Sequence, residues 1–523
     1  MEQPAASQNV LALQSGPRKK LLLAVFCFAQ FLDTFNNSAL FAAIPPISAA
    51  IGISNSNSVW LLSAYQLTFA ALLLVSGRLS DLYDPKIVFI AGAAPMSFFA
   101  LGAGFVRSQV PLIVLRAFMG VGAALTIPSA LHLIVHMYPD PAEQAPAMGL
   151  FAGSGAIGNV IGLIIGALLV TYTSWPWVFY FVTIVAFCVT LSVFILVPWR
   201  EQTPESAVQK ARRFKRIDIF GVSLLTVALI LLVFAVTSGS TIGWRTGRAI
   251  APLILSVLLA AAFFVWEARI EEEFAALPPK MWFYENFSII VASALIPFMW
   301  WGVVQMLFSW YWQEVYGWST IMTAVRFLPV GLMSFPVVIA TNILQKLLPL
   351  KYVTLIGQAL CLTGTALLAF GNSPHRYWSY VFPGLVIGTS GSMVIFTTVN
   401  IAVFAVTPPA VAGMAGAIFN CALQISCAVG TAIITSIQTS VQSNHGGPTS
   451  FYGRSAGFWF LFAFVALITV CVLVFMHNTL PPQRAKPDAK MEERASQGDA
   501  MELMKPADQD SVVISESGRV VMA

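Results

Sequence analysis

The sequence predicts an all-α integral membrane protein with fourteen transmembrane helices. The chain of 523 residues is 58% hydrophobic and only 10% charged, whereas soluble domains carry about 25% charged residues. Apolar runs of about 18 residues or more, each long enough to cross roughly 30 Å of hydrocarbon, recur fourteen times along it. The connections between most of these runs are short, so neighbouring helices should be antiparallel.

The fourteen runs set the predicted spans and domain boundaries. They lie near 21–45, 59–77, 87–106, 111–136, 146–170, 177–197, 217–238, 250–267, 286–312, 321–345, 352–371, 378–405, 411–438 and 456–477. Two charged connections divide them into six spans, an inserted pair and six more, which suits two pseudo-symmetric bundles around a central binding site. The predicted domains are a tail at 1–20, a six-helix bundle at 21–199, a linker with the inserted helix pair at 200–285, a second six-helix bundle at 286–480 and a disordered tail at 481–523.

The distribution of basic residues predicts the orientation. Most of the 28 lysines and arginines fall in segments that share one side of the membrane if the N-terminus is inside, so both termini should be cytoplasmic. The first apolar run is too long for a cleavable signal peptide and should remain as a span. We expect a plasma-membrane protein, with a vacuolar or other internal membrane as the alternative.

A charged decamer between the second and third runs carries the most specific pattern in the chain. It runs from Gly77 to Lys86 and reads Gly-Arg-Leu-Ser-Asp-Leu-Tyr-Asp-Pro-Lys. This segment resembles the loop signature of the major facilitator superfamily, with Asp84 where the second glycine is usual. The resemblance implies that Asp81 closes the cytoplasmic side against a helix that begins after Pro408. We therefore predict a gating group, with a solvated charged turn as the alternative: Gly77, Arg78, Asp81, Asp84 and Lys86.

An acidic residue near the middle of the first span indicates proton coupling. An ionised carboxylate at bilayer depth costs about 2.5–3.5 kcal/mol on insertion scales, so Asp33 should face a watery cavity or be protonated. A structural aspartate satisfied by Gln30 or Asn36 is the alternative. The pattern from Asp33-Thr34 to Ile44-Pro45 is similar to the first-helix signature of fourteen-span drug:proton antiporters.

The fourth span holds an arginine that needs a partner inside the membrane. With Gly120 and Gly122, Arg116 resembles the superfamily's Arg-x-x-x-Gly-x-Gly pattern, which implies a role in proton coupling. Asp33 is the carboxylate clearly at mid-span in the N-terminal half, so we predict that the two communicate directly or through water. An arginine that snorkels to the outer surface is the alternative.

The fifth span is rich in glycine at helical spacing. Small residues four apart let a neighbouring helix approach closely in lipid, which predicts helix packing at five positions: Gly149, Gly153, Gly158, Gly162 and Gly166. The stretch also resembles the fifth-helix antiporter signature, although the expected Gly-Pro is Gly158-Asn159 here.

Amides and aromatic residues at membrane depth predict the substrate cavity. Such a cavity suits an amphipathic organic molecule, with rings available to stack on a cation. The predicted lining residues, each of which could instead be packing, are Phe35, Asn36, Gln66, Trp301, Gln305, Asn400, Asn420 and Gln424.

Together these patterns favour a secondary transporter that exports drugs, toxins or secondary metabolites in exchange for protons by alternating access. An uptake or facilitative carrier of the same fold for a small nutrient or inorganic solute is the alternative. The sequence holds no nucleotide-binding loop, catalytic constellation or metal-spaced cluster, so we expect no enzymatic activity, cofactor or metal. The expected partners are the lipid bilayer, a small-molecule substrate and protons, with no nucleic acid, and the expected state is a monomer.

Overall fold

The computed structural model describes residues 16–199, 218–270, 279–407 and 412–478, and every regular element within these ranges is helical. The fourteen long helices are α1 Gly16–Ile51, α2 Trp60–Leu82, α3 Pro85–Phe105, α4 Gln109–Met137, α5 Pro141–Tyr172, α6 Pro176–Leu196, α7 Ile219–Ile242, α8 Gly247–Arg269, α9 Phe287–Trp310, α10 Thr320–Leu347, α11 Leu350–Leu368, α12 Phe382–Ala405, α13 Ala412–Asn444 and α14 Tyr452–Phe475. Short helical turns lie at Asn55–Ser58, Pro279–Phe283, Tyr311–Val315, Pro374–Arg376 and Tyr377–Val381.

Fourteen long helices therefore occur where fourteen spans are predicted. Twelve of those in the described ranges are long and apolar enough to cross a membrane. The other two are α1, which has 36 residues and carries polar side chains near its middle, and α2, whose apolar part is Trp60–Leu73. The chain is thus a multi-pass helical membrane protein.

The connection between α2 and α3 is shorter than the sequence indicates. The helix α2 continues through Gly77 to Leu82, so the predicted helix end at Gly77 is wrong. A glycine inside a helix costs only about 1 kcal/mol relative to alanine, which a long helix tolerates. The next helix, α3, begins at Pro85, two residues before the predicted run 87–106. The carboxylate of Asp84 caps this helix by accepting a hydrogen bond of 2.9 Å from the backbone N–H of Lys86.

The helices pack as two sets of six with a pair inserted between them in the chain. In the first set α1 lies along α5, while α2 and α3 pack on α4; in the second set α9 lies along α13, while α10 and α11 pack on α12. The two sets meet where α2 contacts α13 and where α5 contacts α10. The inserted helix α7 packs against its partner α8 and also against both α2 and α13.

Three of the five predicted packing glycines lie against α1. A methyl group added at Gly158, Gly162 or Gly166 would overlap atoms of that helix. At Gly149 and Gly153, by contrast, an added methyl group would meet no atom within 4 Å. These two glycines therefore do not pack closely against a helix, because they lie on a face of α5 that borders open space.

This difference gives a matched pair of substitutions. Gly162→Leu should lower the apparent melting temperature of the purified protein, since overpacking a helix contact costs about 1–3 kcal/mol. Gly153→Leu adds the same side chain to the same helix in open space, so its melting temperature should stay at or above that of the parent protein. Equal melting temperatures for the two variants would contradict the packing described for Gly162.

Candidate functional site

Asp33 is buried inside the first set of helices. Its side chain is 6% exposed and accepts a hydrogen bond of 2.5 Å from the hydroxyl of Tyr65 on α2. Tyr65 is fully buried. The carboxylate is therefore directed at the helices of its own set and away from lipid, with a protonatable hydroxyl as its immediate neighbour.

Arg116 on α4 completes this buried group. Its Nε donates to the carbonyl of Leu61 at 2.8 Å, and its Nη1 donates to Oδ1 of Asn36 at 2.8 Å. The guanidinium carbon lies 4.6 Å from the ring centroid of Tyr65, within the range of a cation–π interaction. The arginine is fully buried, so it does not snorkel to a surface.

Tyr65 thus lies between the carboxylate of Asp33 and the guanidinium of Arg116. The sequence predicts both charged residues and Asn36 as site residues but not this tyrosine, because nothing in the sequence shows that its face of α2 turns toward α1 and α4. An arginine side chain keeps its proton in proteins, whereas a carboxyl group can bind and release one. Asp33 is consequently the member of the group that can change charge.

A cavity of about 490 Å³ lies between the two sets of helices. Its walls come from α1 and α5 on one side and from α9, α10 and α12 on the other. The lining begins at Gly149 in the first third of α5 and ends at Ile401 in the last turns of α12. The lining also includes Gln30 and Thr34 near the middle of α1 and Ala324 in the second turn of α10, so the cavity lies around the middle of the bundle.

The wall of the cavity is aromatic and carries no charged side chain among its described lining residues. Phe298, Trp301 and Phe396 form one aromatic group, with ring centroids 5.8–6.1 Å apart. In the side chains of Gln30, Trp301 and Gln305, buried polar atoms have no hydrogen-bond partner in the described part of the chain. Because an unsatisfied buried polar atom costs about 1–3 kcal/mol, a ligand that offers partners to these groups would be stabilised.

Three of the predicted cavity residues lie in this wall: Trp301, Gln305 and Asn400. The other five lie elsewhere. Phe35 packs on Phe181, Asn36 binds Arg116, Gln66 donates to Cys427, Asn420 is exposed and donates to the carbonyl of Gly416, and Gln424 is buried outside the lining. Residue type alone selected them, and only packing decides which face of each helix turns to the cavity.

Much of the cavity wall is not predicted from the sequence. Gln30 and Thr34 of α1 line the cavity one helical turn apart, and Asn159 of α5, in the same set of helices, lines it as well. The helix α10 contributes apolar residues such as Phe327 and Phe335, which in sequence look like lipid-facing residues. Gly149 and Gly153 also belong to the wall.

The predicted gating group is only partly described. Lys86 is fully buried, and its Nζ donates to the carbonyls of Phe194 and Val197 at the end of α6. It therefore caps a helix of its own set and does not face the other set. The side chains of Arg78 and Asp81, together with residues 408–411, lie outside the described part of the chain, so the predicted contact of Asp81 stays a prediction.

A two-set helical bundle with a central cavity and a buried charged group defines a membrane transporter of the secondary type. The family model described as Major Facilitator Superfamily matches residues 26–431. The chain belongs to this superfamily, as the decamer resemblance predicts.

Similar proteins with named functions come from bacteria and fungi. The puromycin resistance protein pur8 of Streptomyces alboniger is 28% identical over 434 residues, covering 81% of this chain and 82% of that protein. The multidrug transporter mfsC of Aspergillus fumigatus is 26% identical, covering 85% of this chain and 84% of that protein. A low affinity ammonium transporter of Saccharomyces cerevisiae is 25% identical, covering 84% of each.

Solved structures show the same fold. A POT family transporter in complex with a thioalcohol-conjugated peptide superposes with a TM-score of 0.63 at 16% identity, covering 87% of this chain and 95% of that one. At this identity the likeness concerns the fold alone. Family and fold are thus those of membrane transporters.

Proposed function

We propose that this protein exports amphipathic, aromatic organic molecules in exchange for protons. The observation that carries the proposal is the uncharged aromatic cavity between the two sets of helices, beside a buried group that contains one titratable carboxylate. The similarity to pur8, a puromycin resistance protein, and to mfsC, a multidrug transporter, supports export. The absence of a charged residue among the described lining residues favours neutral or weakly basic substrates.

The orientation of the protein belongs to the same proposal. With most lysines and arginines on one side, both termini are cytoplasmic and the odd-numbered helices begin at the inner face. The cavity then extends from the middle of the bundle into the inner thirds of α5 and α12, on the side where an exporter collects its substrate. We place the protein in the plasma membrane as a monomer, with domain divisions near residues 199 and 285, and with no nucleic-acid partner.

The helix α1 links proton binding to the cavity. It directs Asp33 toward Tyr65, and it places Gln30 and Thr34 in the cavity wall. When Asp33 gains a proton it loses its attraction for the buried guanidinium of Arg116, which changes the forces between α1, α2 and α4. A shift of α1 would then alter the wall that holds the substrate.

A second candidate function is uptake of a small cation, which the yeast ammonium transporter supports. The aromatic rings of the cavity could bind such a cation. A volume of about 490 Å³ nevertheless suits a molecule of many atoms far better than ammonium, and export of an organic substrate remains the better-supported proposal.

The direction of transport can be tested in a bacterial strain that lacks its own exporters. Cells that make this protein should accumulate less of at least one compound from an amphipathic aromatic panel that includes puromycin, and a protonophore should remove the difference. A higher accumulation would favour the uptake candidate. No change for any compound in the panel would contradict the proposed substrate class.

A substitution in the wall tests the cavity itself. Trp301→Ala removes an aromatic surface that lines it, so the KM for an aromatic substrate should rise about tenfold, the equivalent of about 1.4 kcal/mol. Trp378→Ala is the matched control, because Trp378 is 67% exposed and lies outside the wall. An unchanged KM for Trp301→Ala would remove this residue from the binding site.

A further inference from the structure

Two consecutive prolines lie inside α1. Pro45 and Pro46 have no backbone N–H, so the carbonyls four residues earlier, those of Phe41 and Ala42, lose their helical donors. Both of these residues are buried, at 5% and 0% exposure. A buried carbonyl without a donor is unfavourable, so each needs a partner from outside α1.

The second set of helices supplies these partners. Ser309 of α9 donates its hydroxyl to the carbonyl of Phe41 at 2.7 Å, and the amide of Gln313 reaches the carbonyl of Ala42 at 3.4 Å. The same amide lies 3.2 Å from the hydroxyl of Ser309, and its oxygen accepts from Thr320 at 3.3 Å. One connected chain of side chains therefore ends on the two carbonyls that the prolines leave free.

These bonds lie just beyond one end of the cavity. Phe41 and Ala42 precede the last turns of α1, and Ser309 lies one residue from the end of α9. Gln305 of α9 and Ala324 of α10 line the cavity one helical turn from Ser309 and Thr320. The hydrogen bonds thus join the two sets of helices directly above this end of the cavity.

We infer that the carbonyls of Phe41 and Ala42, which Pro45 and Pro46 leave free, form with Ser309 and Gln313 the gate that closes the outer end of the transporter. This inference rests on the proposed alternating access. Pro45 and Pro46 cannot supply the helical donors that these two carbonyls would otherwise have, whichever way the transporter is open. When the outer end opens, water replaces Ser309 and Gln313 as donor, which makes the contact reversible while keeping it specific.

The chain contains an internal control for this arrangement. Pro128 inside α4 frees the carbonyl of Ala124 in the same way, and Ser76 of α2 donates its hydroxyl to that carbonyl at 2.5 Å. Both helices belong to the first set, so this bond stays intact when the two sets move relative to each other. Both Ser76→Ala and Ser309→Ala therefore remove a hydrogen bond from a serine hydroxyl to a carbonyl freed by proline. Ser76→Ala removes one within the first set, and Ser309→Ala removes one between the two sets.

The test measures the width of the outer end. Spin labels at Tyr172 and Tyr452, which are exposed at the outer ends of α5 and α14, would report the distance between the two sets in the full chain in lipid nanodiscs, with the native cysteines replaced. Ser309→Ala should raise the ratio of long to short distances about fivefold to tenfold, as expected for the loss of one buried hydrogen bond. Ser76→Ala should lower the melting temperature without changing that ratio.

Pro45→Ala tests the hydrogen bond between Ser309 and the Phe41 carbonyl on the side of its acceptor. It restores an N–H that can satisfy the Phe41 carbonyl within α1, so it should also favour the long distance. Combined with Ser309→Ala it should add little further, because both changes break one bond. If the parent protein populates both distances and Ser309→Ala does not change their ratio, the proposed gate is wrong, whereas alternating access is still supported. A single distance in the parent protein at every pH and with every panel compound would overturn both.

Discussion

Asp33→Asn should reduce transport driven by a pH gradient to the level of membranes without the protein. Asparagine has nearly the shape of aspartate, and its oxygen can still accept the hydrogen bond from Tyr65. The folded protein and its cavity should therefore persist, since Asp33 is not among the lining residues. What disappears is the side chain that can bind and release a proton.

The variant should separate coupling from binding. Exchange of labelled for unlabelled substrate across a vesicle, with no pH gradient, should remain measurable. Asp140→Asn is the matched control: it makes the same chemical change in the same half at an exposed position between α4 and α5, and it should behave like the parent protein. Full pH-driven transport by Asp33→Asn would show that the coupling group lies elsewhere.

Arg116→Gln should lower both stability and coupled transport. The change removes donors from the Leu61 carbonyl and from Asn36, and it leaves the buried Asp33 without a nearby cation. Breaking a buried charged group in this way costs about 3 kcal/mol. We therefore expect a clearly lower apparent melting temperature and, in the protein that remains folded, transport that no longer follows the pH gradient.

Arg116→Lys gives a useful intermediate case. It keeps the positive charge but lacks the planar set of donors that reaches two partners at once, so coupling should be partly retained. Arg107→Gln is the control, because Arg107 is exposed and its contacts are to nearby backbone carbonyls and Trp175. Wild-type stability and coupling in Arg116→Gln would contradict the network described around Tyr65.

The helices could be predicted from the sequence because the bilayer imposes their length. In the described part of the chain, fourteen long helices occur where fourteen apolar runs are predicted. The end of α2 could not be placed, since Gly77 looks like a helix terminus but lies inside a helix whose packing outweighs its weak propensity. The charges between Gly77 and Lys86 favour a loop, whereas the first six residues of this segment belong to α2.

The charged members of the candidate site were also accessible from the sequence. A carboxylate and an arginine at membrane depth are costly enough to stand out. Tyr65 was not accessible, because a tyrosine in a span has no such cost and its neighbours depend on helix rotation. The part of the wall contributed by α10 could not be predicted for the same reason. Phe327 and Phe335 are of the same residue type as lipid-facing residues, and only the rotation of the helix turns them to the cavity.

The central claim is tested most directly by following protons and substrate together in proteoliposomes. A pH-sensitive dye in the lumen would report proton movement while a compound identified in the accumulation panel is added outside. We predict a change of lumen pH that requires the protein and the compound, with protons moving opposite to the substrate, and no such change with Asp33→Asn. Substrate movement without proton movement, or an unchanged proton signal in Asp33→Asn, would contradict it.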